Sequence, residues 1–309
     1  MSATQIQTIL GPVDVQELGV VDYHEHLCFR APAWLLREDG DFCLDDVAHS
    51  SAELTDWSRA GGKTLIDMTA IDFGRDIRAV RRIARKVPQV NVLAITGFNK
   101  PYFCDDAVLA TPDRDLVKRC VRDIERGIDN TDSKAALVKG GSGYNAFQQP
   151  DRKLLRVAAV VHRETGVPVI THTEAGTMGW EQMQMLGDEG VPMHRICLSH
   201  MDRNPDFWEH ARIADAGTYL GYDCPGKTKY GPDEIRVQLL RRLIFAGHGQ
   251  RILLGNDLGR PSYWRHYGGG PGLDFVLTRF VPRLIDEGIS QAAVDDLLIH
   301  NPRRYLAGN

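Results

Sequence analysis

The sequence predicts an α/β fold, a (β/α)8 barrel of the TIM type with a short N-terminal cap. Eight short apolar runs recur along the 309 residues, and most are rich in Val, Ile, Leu and Thr. Such runs are typical of strands that are buried on both faces. Segments with helical spacing separate them, which indicates parallel βαβ units. Eight units in about 290 residues favour a closed barrel, and an open doubly wound sheet is the structural alternative.

The eight predicted strands all have four to eight residues, and polar or glycine-rich sequence follows each of them. They are Leu18–His24, Lys63–Thr69, Val90–Thr96, Ala135–Lys139, Val167–His172, Arg195–His200, Thr218–Tyr222 and Arg251–Asp257. Helical spacing of apolar residues marks four segments between them. These are Asp45–Ala60, Arg75–Lys86, Arg114–Ile128 and Asp151–Thr165.

The N-terminal residues 1–17 are expected to form a small cap or hairpin, with a turn at Gly11-Pro12. No linker, low-complexity tract or charge run divides the chain, so we expect one domain over residues 1–309. The loop Gly268–Gly272 is glycine-rich but does not mark a boundary.

Composition limits the classes of partner. The chain has 37 Lys and Arg against 41 Asp and Glu, a net charge of −4, which gives no footprint for nucleic acid or an anionic membrane. The six cysteines are scattered without a CxxC pair, as in a reduced cytoplasmic protein. We expect no secretory signal and no membrane span, because the apolar runs are short. A homodimer is the assembly we consider.

Ionisable residues with metal-ligand chemistry stand at the ends of five of the eight predicted strands. In a barrel, reactive groups come from these carboxyl ends and from the loops that follow. Taken alone, each residue has an ordinary structural explanation, but their joint placement favours a site. The five strand ends carry His24-Glu25-His26, Lys139, His172, His200 and Asp257.

The His-x-His spacing suits a metal ion, because residues i and i+2 of an extended strand face the same side. Imidazole and carboxylate ligands suit Zn²⁺, Mn²⁺ or a similar ion. Four histidines and Asp257 could hold two ions if an anion bridged them. A water or hydroxide is one bridge, and Lys139 converted to a carbamate by CO2 is another. The remaining histidines lie in helix-like or loop segments, where surface or core roles are favoured.

The loops after the seventh and eighth strands carry a basic and aromatic cluster. Asp223–Tyr230 and Gly259–Tyr267 together contain two Lys, two Arg, one His and three Tyr. Barrels often bind phosphate at these two loops, so the cluster predicts an anionic substrate group. The alternative is that these cations pair with Asp223, Asp233 or Glu234.

These motifs make the chain similar to the phosphotriesterase family of the amidohydrolase superfamily, over residues ~10–307. The resemblance implies that His24, His26 and Asp257 hold the more buried ion, and that His172 and His200 hold the more exposed one. It also implies that carbamylated Lys139 and a hydroxide bridge two ions, with Zn²⁺ favoured and Mn²⁺ or Co²⁺ as alternatives. Asp257 would be catalytic, accepting the proton as the hydroxide attacks. The supporting motifs are Thr171-His172-Thr173, Ser199-His200-Met201-Asp202, Gly255-Asn256-Asp257 and Asn301-Pro302.

The segments Lys227–Tyr230 and Arg260–Tyr263 resemble the branch of this family that hydrolyses phosphorylated sugar lactones. By that resemblance Lys227 or Lys229, with Arg260 and Tyr263, would bind the phosphate. Acyl-homoserine-lactonase relatives tend to have Tyr where this chain has Asn99, which favours a polar sugar over a long acyl chain.

The expected function is therefore a binuclear metal-dependent hydrolase that opens an aldono-1,4-lactone phosphate. The alternative enzyme is a lactonase, esterase, amide hydrolase or phosphotriesterase that acts on another anionic small molecule, since a carboxylate would satisfy the same loops. A non-catalytic binding barrel is expected to lose a metal ligand, and none is missing. A Schiff-base role for Lys139 leaves the four histidines unexplained.

Overall fold

The computed structural model describes residues 4–308 and contains the predicted barrel. Eight parallel strands are hydrogen-bonded in the order β12-β11-β10-β9-β8-β7-β6-β3, and helices surround them. The strands of the described range are β1 Gln5–Thr8, β2 Gly11–Asp14, β3 Val21–Glu25, β4 Phe29–Arg30, β5 Cys43–Leu44, β6 Thr64–Asp67, β7 Asn91–Gly97, β8 Leu137–Ser142, β9 Val169–Thr173, β10 Ile196–Ser199, β11 Tyr219–Tyr222 and β12 Ile252–Leu254.

Helices follow the barrel strands on the outside, and all four helices predicted from sequence are present within a few residues of their expected bounds. The α-helices of residues 4–308 are α1 Ala33–Glu38, α2 Val47–Arg59, α3 Ile77–Lys86, α4 Asp106–Ala110, α5 Asp113–Glu125, α6 Gln149–Thr165, α7 Gly179–Asp188, α8 Phe207–Asp215, α9 Asp233–Phe245, α10 Val281–Asp286, α11 Gln291–Asp295 and α12 Asn301–Ala307. Two π-helical segments, Val276–Phe280 and Asp296–His300, precede α10 and α12.

The prediction that β8 ends at Lys139 is wrong, because the strand continues to Ser142. Gly140, Gly141 and Ser142 keep pairing with β9. A glycine pair suggests a loop, but here it allows close packing. A Cβ added to Gly141 would lie 2.3 Å from the Asn99 carbonyl oxygen and 2.8 Å from the His172 Cβ. Lys139 therefore lies within β8 and not at its end, and the glycines that follow it let Asn99 and His172 pack closely against the strand.

The barrel closes between β3 and β12 through backbone and side-chain hydrogen bonds together. The Asp257 N–H donates to the His24 carbonyl over 2.8 Å. The Asn256 amide donates to Asp22 Oδ2 over 2.6 Å, and the Leu258 N–H donates to Glu25 Oε1 over 2.9 Å. These bonds fix the backbone of Asp257 against that of His24.

The predicted cap is a hairpin of β1 and β2, with its turn at Ile9 and Leu10. The expected turn at Gly11-Pro12 is wrong, because both residues lie in β2. Gly11 follows the turn with a φ of +130°, a conformation that favours glycine. The Ile9 N–H donates to the Val92 carbonyl over 2.9 Å, which joins the hairpin to β7. The cap's first three residues lie outside the described range.

Two sequence expectations concern disulfides and membranes. All six cysteines are free thiols, and four of them are buried. Across residues 4–308, the helices lack the combination of length and apolar composition that a membrane crossing requires.

Arg236→Ala should lower the free energy of unfolding by about 3–5 kcal/mol, because it leaves a buried carboxylate unpaired. The Arg236 side chain is 1% exposed, and its Nε donates to Asp202 Oδ2 over 3.0 Å. Its other nitrogens bind the carbonyls of Tyr230 and Gly231, so it joins the loops after β10 and β11. Urea unfolding measures the change, with Arg241→Ala on the same helix as a matched control. Arg241 is 37% exposed, and equal losses in the two variants would contradict this role.

Candidate metal centre and active-site pocket

A pocket of about 460 Å³ opens at the carboxyl ends of the barrel strands. Nine of the ten predicted site residues line this pocket: His24, His26, Lys139, His172, His200, Lys227, Asp257, Arg260 and Tyr263. The tenth, Lys229, stands beside two tyrosines of the lining. Its Nζ lies 4.8 Å from the centroid of the Tyr230 ring and 5.2 Å from that of Tyr263.

The β3 histidines turn one nitrogen each towards Asp257. Both His24 Nε2 and His26 Nε2 lie 3.5 Å from Asp257 Oδ1. The other nitrogen of His26 is occupied, since its Nδ1 lies 2.9 Å from Thr69 Oγ1. His24 Nδ1 lies 3.1 Å from Asp223 Oδ2 without the geometry of a hydrogen bond. One ligand atom of each of the three residues falls within a 4.8 Å cluster. This set matches the predicted ligands of the more buried ion.

The other two histidines form a second inward-facing pair. His200 Nε2 and His172 Nδ1 are 2.9 Å apart. The outer nitrogens face carboxylates, with His200 Nδ1 2.8 Å from Asp223 Oδ1 and His172 Nε2 3.1 Å from Glu174 Oε2. When the outer nitrogens donate to these carboxylates, the neutral rings turn two lone pairs towards each other. Two lone pairs that face each other repel unless a proton or a cation lies between them. The facing nitrogens of His172 and His200 therefore fit a metal ion.

Asp223 and Glu174 orient these histidines, and sequence reasoning missed both roles. Buried Asp223 contacts His24 and His200 and also accepts a hydrogen bond from the Tyr23 hydroxyl. It directly follows β11, so the strand-end rule that selected the other ligands also applies to it. Glu174 accepts hydrogen bonds from Lys100 and lies 3.3 Å from Arg203 NH2. The sequence feature that could have identified Glu174 is its position two residues after His172.

Lys139 is a buried amine that has no carboxylate in direct contact among the described residues. Its side chain is 1% exposed, and its Nζ donates one long hydrogen bond of 3.4 Å, to the Met68 carbonyl. Within residues 4–308, no carboxylate oxygen lies within 4 Å of this amine. Burial lowers the Lys139 pKa to about 8, against more distant carboxylates, Asp257 foremost, that raise it, so roughly a tenth of the amine is neutral at pH 7.

The two lysines of the loop after β11 have different surroundings. Lys227 is 2% exposed, and its Nζ donates to the Asp257 carbonyl over 2.7 Å and to Asp257 Oδ2 over 3.0 Å. Lys229 has no carboxylate partner among the described residues. Burial, with the nearby Arg260 and Lys227 charges, lowers the Lys229 pKa. Lys229 is therefore the lysine that is free to meet an anion.

Arg260 and Tyr263 stand on the opposite loop, after β12. Arg260 NH1 lies 2.7 Å from Asp39 Oδ2, and the guanidinium carbon is 3.9 Å from the centroid of the Phe42 ring. The Tyr263 hydroxyl is buried and lacks a hydrogen-bond partner in the described part of the chain.

The carboxylates that the sequence offered as alternative partners of these cations are engaged elsewhere. Asp223 contacts histidines, Asp233 binds Arg236, and Glu234 binds Arg283. Other carboxylates nevertheless pair with most of the cluster: Lys227 contacts Asp257, Arg260 contacts Asp39 and Asp41, Arg265 contacts Asp274, and His266 contacts Asp56. Among the described residues, Lys229 is the cation of these two loops that has no carboxylate partner.

Comparison with known proteins agrees with this architecture. The model of the phosphotriesterase family matches residues 4–306. A phospho-furanose lactonase of Mycoplasmopsis synoviae is 33% identical over 97% of this chain and 91% of its own length. The crystal structure of a lactonase from Listeria monocytogenes superposes with a TM-score of 0.93 and 32% identity, covering 98% of each chain.

A further solved structure is the phosphotriesterase homology protein of Escherichia coli, complexed with phosphate in its active site. It has a TM-score of 0.90 and 32% identity, and the match covers 94% of this chain and 99% of that one. The family match extends over nearly the whole chain, and the strand-end histidines and Asp257 meet in one pocket. The chain therefore belongs to the phosphotriesterase family, whose members are metal-dependent hydrolases.

Proposed function

We propose that this hydrolase is a binuclear lactonase that opens a phosphorylated sugar lactone, an aldono-1,4-lactone phosphate. The observation that carries the proposal is one pocket in which two sets of inward-facing ligand atoms stand near the unpartnered Tyr263 hydroxyl and near Lys229, a cation without a carboxylate partner among the described residues. The names of the relatives support it, since phospho-furanose lactonases are among them. The E. coli relative with phosphate in its active site supports an anion subsite in the same region.

His24, His26 and Asp257 would hold one divalent ion, and His172 and His200 the other. Lys139 would bridge the two ions as a carbamate, formed when its neutral amine adds CO2 and releases a proton. The product is a buried anion in place of a buried amine, which suits a position between two cations. Two such ions, with Zn²⁺ favoured over Mn²⁺ or Co²⁺, activate water and polarise a carbonyl group.

Asp257 would accept the proton of the attacking water. Burial raises the Asp257 pKa, but the Lys227 ammonium and the neighbouring histidines together hold it well below its usual range. The carboxylate is therefore ionised and can accept the proton when water adds to the lactone carbonyl carbon. The bond from that carbon to the ring oxygen then breaks, and Asp257 returns the proton to the departing alkoxide. The product is the open-chain hydroxy acid.

Lys229, Arg260 and Tyr263 would bind the phosphate. Lys229 supplies a charge without a carboxylate partner, Arg260 a forked donor and Tyr263 a hydroxyl donor. Lys227 instead would serve the reaction through Asp257, to which both its hydrogen bonds run. The two lysines, which the sequence analysis did not distinguish, would therefore have different roles: Lys229 would bind the phosphate, and Lys227 would hold Asp257.

A lactone panel tests the proposal directly. Protein purified without chelator is incubated with aldono-1,4-lactone 5-phosphates and with the same lactones lacking phosphate, and ring opening is followed by ¹³C NMR. We expect efficient opening of at least one phosphorylated lactone and much slower opening of its unphosphorylated partner. Equal rates for the two members of every pair would contradict the phosphate assignment.

The cellular setting is also a proposal. Six free thiols suit a reducing compartment, so we propose a cytoplasmic enzyme that acts on a small anionic molecule, with a homodimer as its assembly.

Asp223→Asn should weaken the binding of both ions by about 10- to 100-fold, the usual cost of losing a carboxylate that orients a metal-binding histidine. A single buried carboxylate contacts one histidine of each set, so both sets lose their orientation together. Glu174→Gln is the matched control, because His172 is the one metal-set histidine that Glu174 contacts. Competition with a chromophoric chelator measures each affinity. Loss of only one ion in Asp223→Asn would show that the carboxylate does not couple the two sets.

A further inference from the structure

We infer that Asn99 is a specificity-determining residue that binds a ring hydroxyl of the substrate. The inference deepens the proposed function and rests on it for the identity of the substrate, a lactone that carries hydroxyl groups. It assigns a hydroxyl subsite to the loop after β7, separate from the phosphate subsite of the loops after β11 and β12.

The backbone of Asn99 is fixed by its neighbours. Gly97 pairs with Lys139 in the sheet, and the Phe98 N–H donates to the Lys139 carbonyl over 3.0 Å. The Asn99 N–H then donates to both carboxylate oxygens of Asp72, over 2.9 Å each. The main chain therefore holds this position in the pocket wall without any help from the side chain.

The Asn99 side chain has no structural partner. It lines the pocket and is 6% exposed. Its Oδ1 is buried without a hydrogen-bond partner in the described part of the chain, whereas its Nδ2, which makes no hydrogen bond there, is not a fully buried atom. Burying the amide oxygen without a partner is costly, so such a group in a binding site points to a ligand that satisfies it.

A hydroxyl group fits these needs, because it donates to the amide oxygen and accepts from the amide nitrogen. Asn99 also stands beside the histidine of the more exposed set. The Cβ position of Gly141 lies 2.3 Å from the Asn99 carbonyl oxygen and 2.8 Å from the His172 Cβ, so the two residues are neighbours.

The chemistry of the ring agrees with this placement. In an aldono-1,4-lactone 5-phosphate, the C2 hydroxyl adjoins the carbonyl, whereas the phosphate is carried from the far side of the ring. A carbonyl near His172 and a phosphate near Lys229 would therefore bring the C2 hydroxyl to the Asn99 wall.

The test compares each lactone with its 2-deoxy counterpart in the wild type and in Asn99→Ala. We expect the wild type to favour the hydroxylated lactone by about 10- to 100-fold in kcat/KM, and the variant to lose most of that preference. The rate on the 2-deoxy lactone should fall far less than the rate on the hydroxylated lactone. The unfolding temperature should stay the same or rise, because the removed amide makes no hydrogen bond. A variant that keeps the wild-type preference would overturn the assignment.

Lys229→Ala is the matched control from the other subsite. It should reduce the preference for phosphorylated over unphosphorylated lactone and leave the preference for the hydroxyl intact. If the wild type opens only unphosphorylated lactones, the proposed phosphate subsite fails, and the 2-deoxy comparison is made on those lactones.

If the wild type opens no lactone, calorimetry with 1,4-anhydropentitol 5-phosphate and its 2-deoxy form replaces the rates, since these ring ethers cannot be hydrolysed. A preference for the hydroxyl that Asn99→Ala abolishes would support the assignment. Absence of that preference in the wild type would overturn it.

Discussion

Lys139→Ala should lose at least one divalent ion per chain, and hydrolysis should fall by at least 100- to 1,000-fold, roughly the cost of removing one electrostatic group from an active site. The side chain lies inside β8, buried in the pocket wall, and lacks a carboxylate partner in the described range. An ordinary ammonium there would repel two cations, whereas a carbamate would join them. Elemental analysis by mass spectrometry and a lactone assay measure the two losses.

Two controls separate the bridge from a packing role. Lys139→Glu supplies an anion of shorter reach and should keep part of the metal and of the activity. Added acetate or propionate should partly restore Lys139→Ala, because the alanine leaves room for a small carboxylate. An alanine variant with unchanged metal content and rate would rule out the bridging role.

Arg260→Ala should cost about 2–4 kcal/mol of transition-state stabilisation, a fall of roughly 30- to 1,000-fold in kcat/KM, for the phosphorylated lactone. The guanidinium is held at the pocket by Asp39 and Phe42, so it is oriented before the substrate arrives. Initial rates over a range of concentrations of both lactones give the change in kcat/KM.

The unphosphorylated lactone is the control for Arg260, because it offers nothing for the guanidinium to hold. Its kcat/KM should change little, and the metal content should stay at the wild-type level, since Arg260 is not a ligand. Equal losses on both lactones would show that Arg260 supports the loop or the metal centre instead of binding phosphate.

The barrel was predictable because buried parallel strands leave a direct record in the sequence. The run Val167–His172, for example, is observed as β9 at Val169–Thr173, and all five of its residues are buried. Lys139 was predicted at a strand end because the apolar run gives way there to glycine-rich sequence, Gly140 and Gly141. Their real role is to admit neighbouring atoms at close range, which depends on tertiary packing that no local pattern records.

The placement of the predicted ligands in one pocket followed from the same strand-end rule, whereas their partners did not. Asp223 follows a strand and was considered only as a partner for the cations of the two loops. Its contacts with His24 and His200 join three different strands, which no local pattern records. Lys227 and Lys229 are two residues apart and look alike in sequence. The path of the loop decides that one binds Asp257 and the other stays free.

The metal content of the protein tests the central claim most directly. Protein purified without chelator is analysed by mass spectrometry for divalent ions, and its hydrolytic rate is measured before and after dialysis against a chelator. We predict about two ions per chain, loss of activity as they are removed, and recovery when Zn²⁺, Mn²⁺ or Co²⁺ is returned. Full activity in protein that holds no divalent ion would contradict the account.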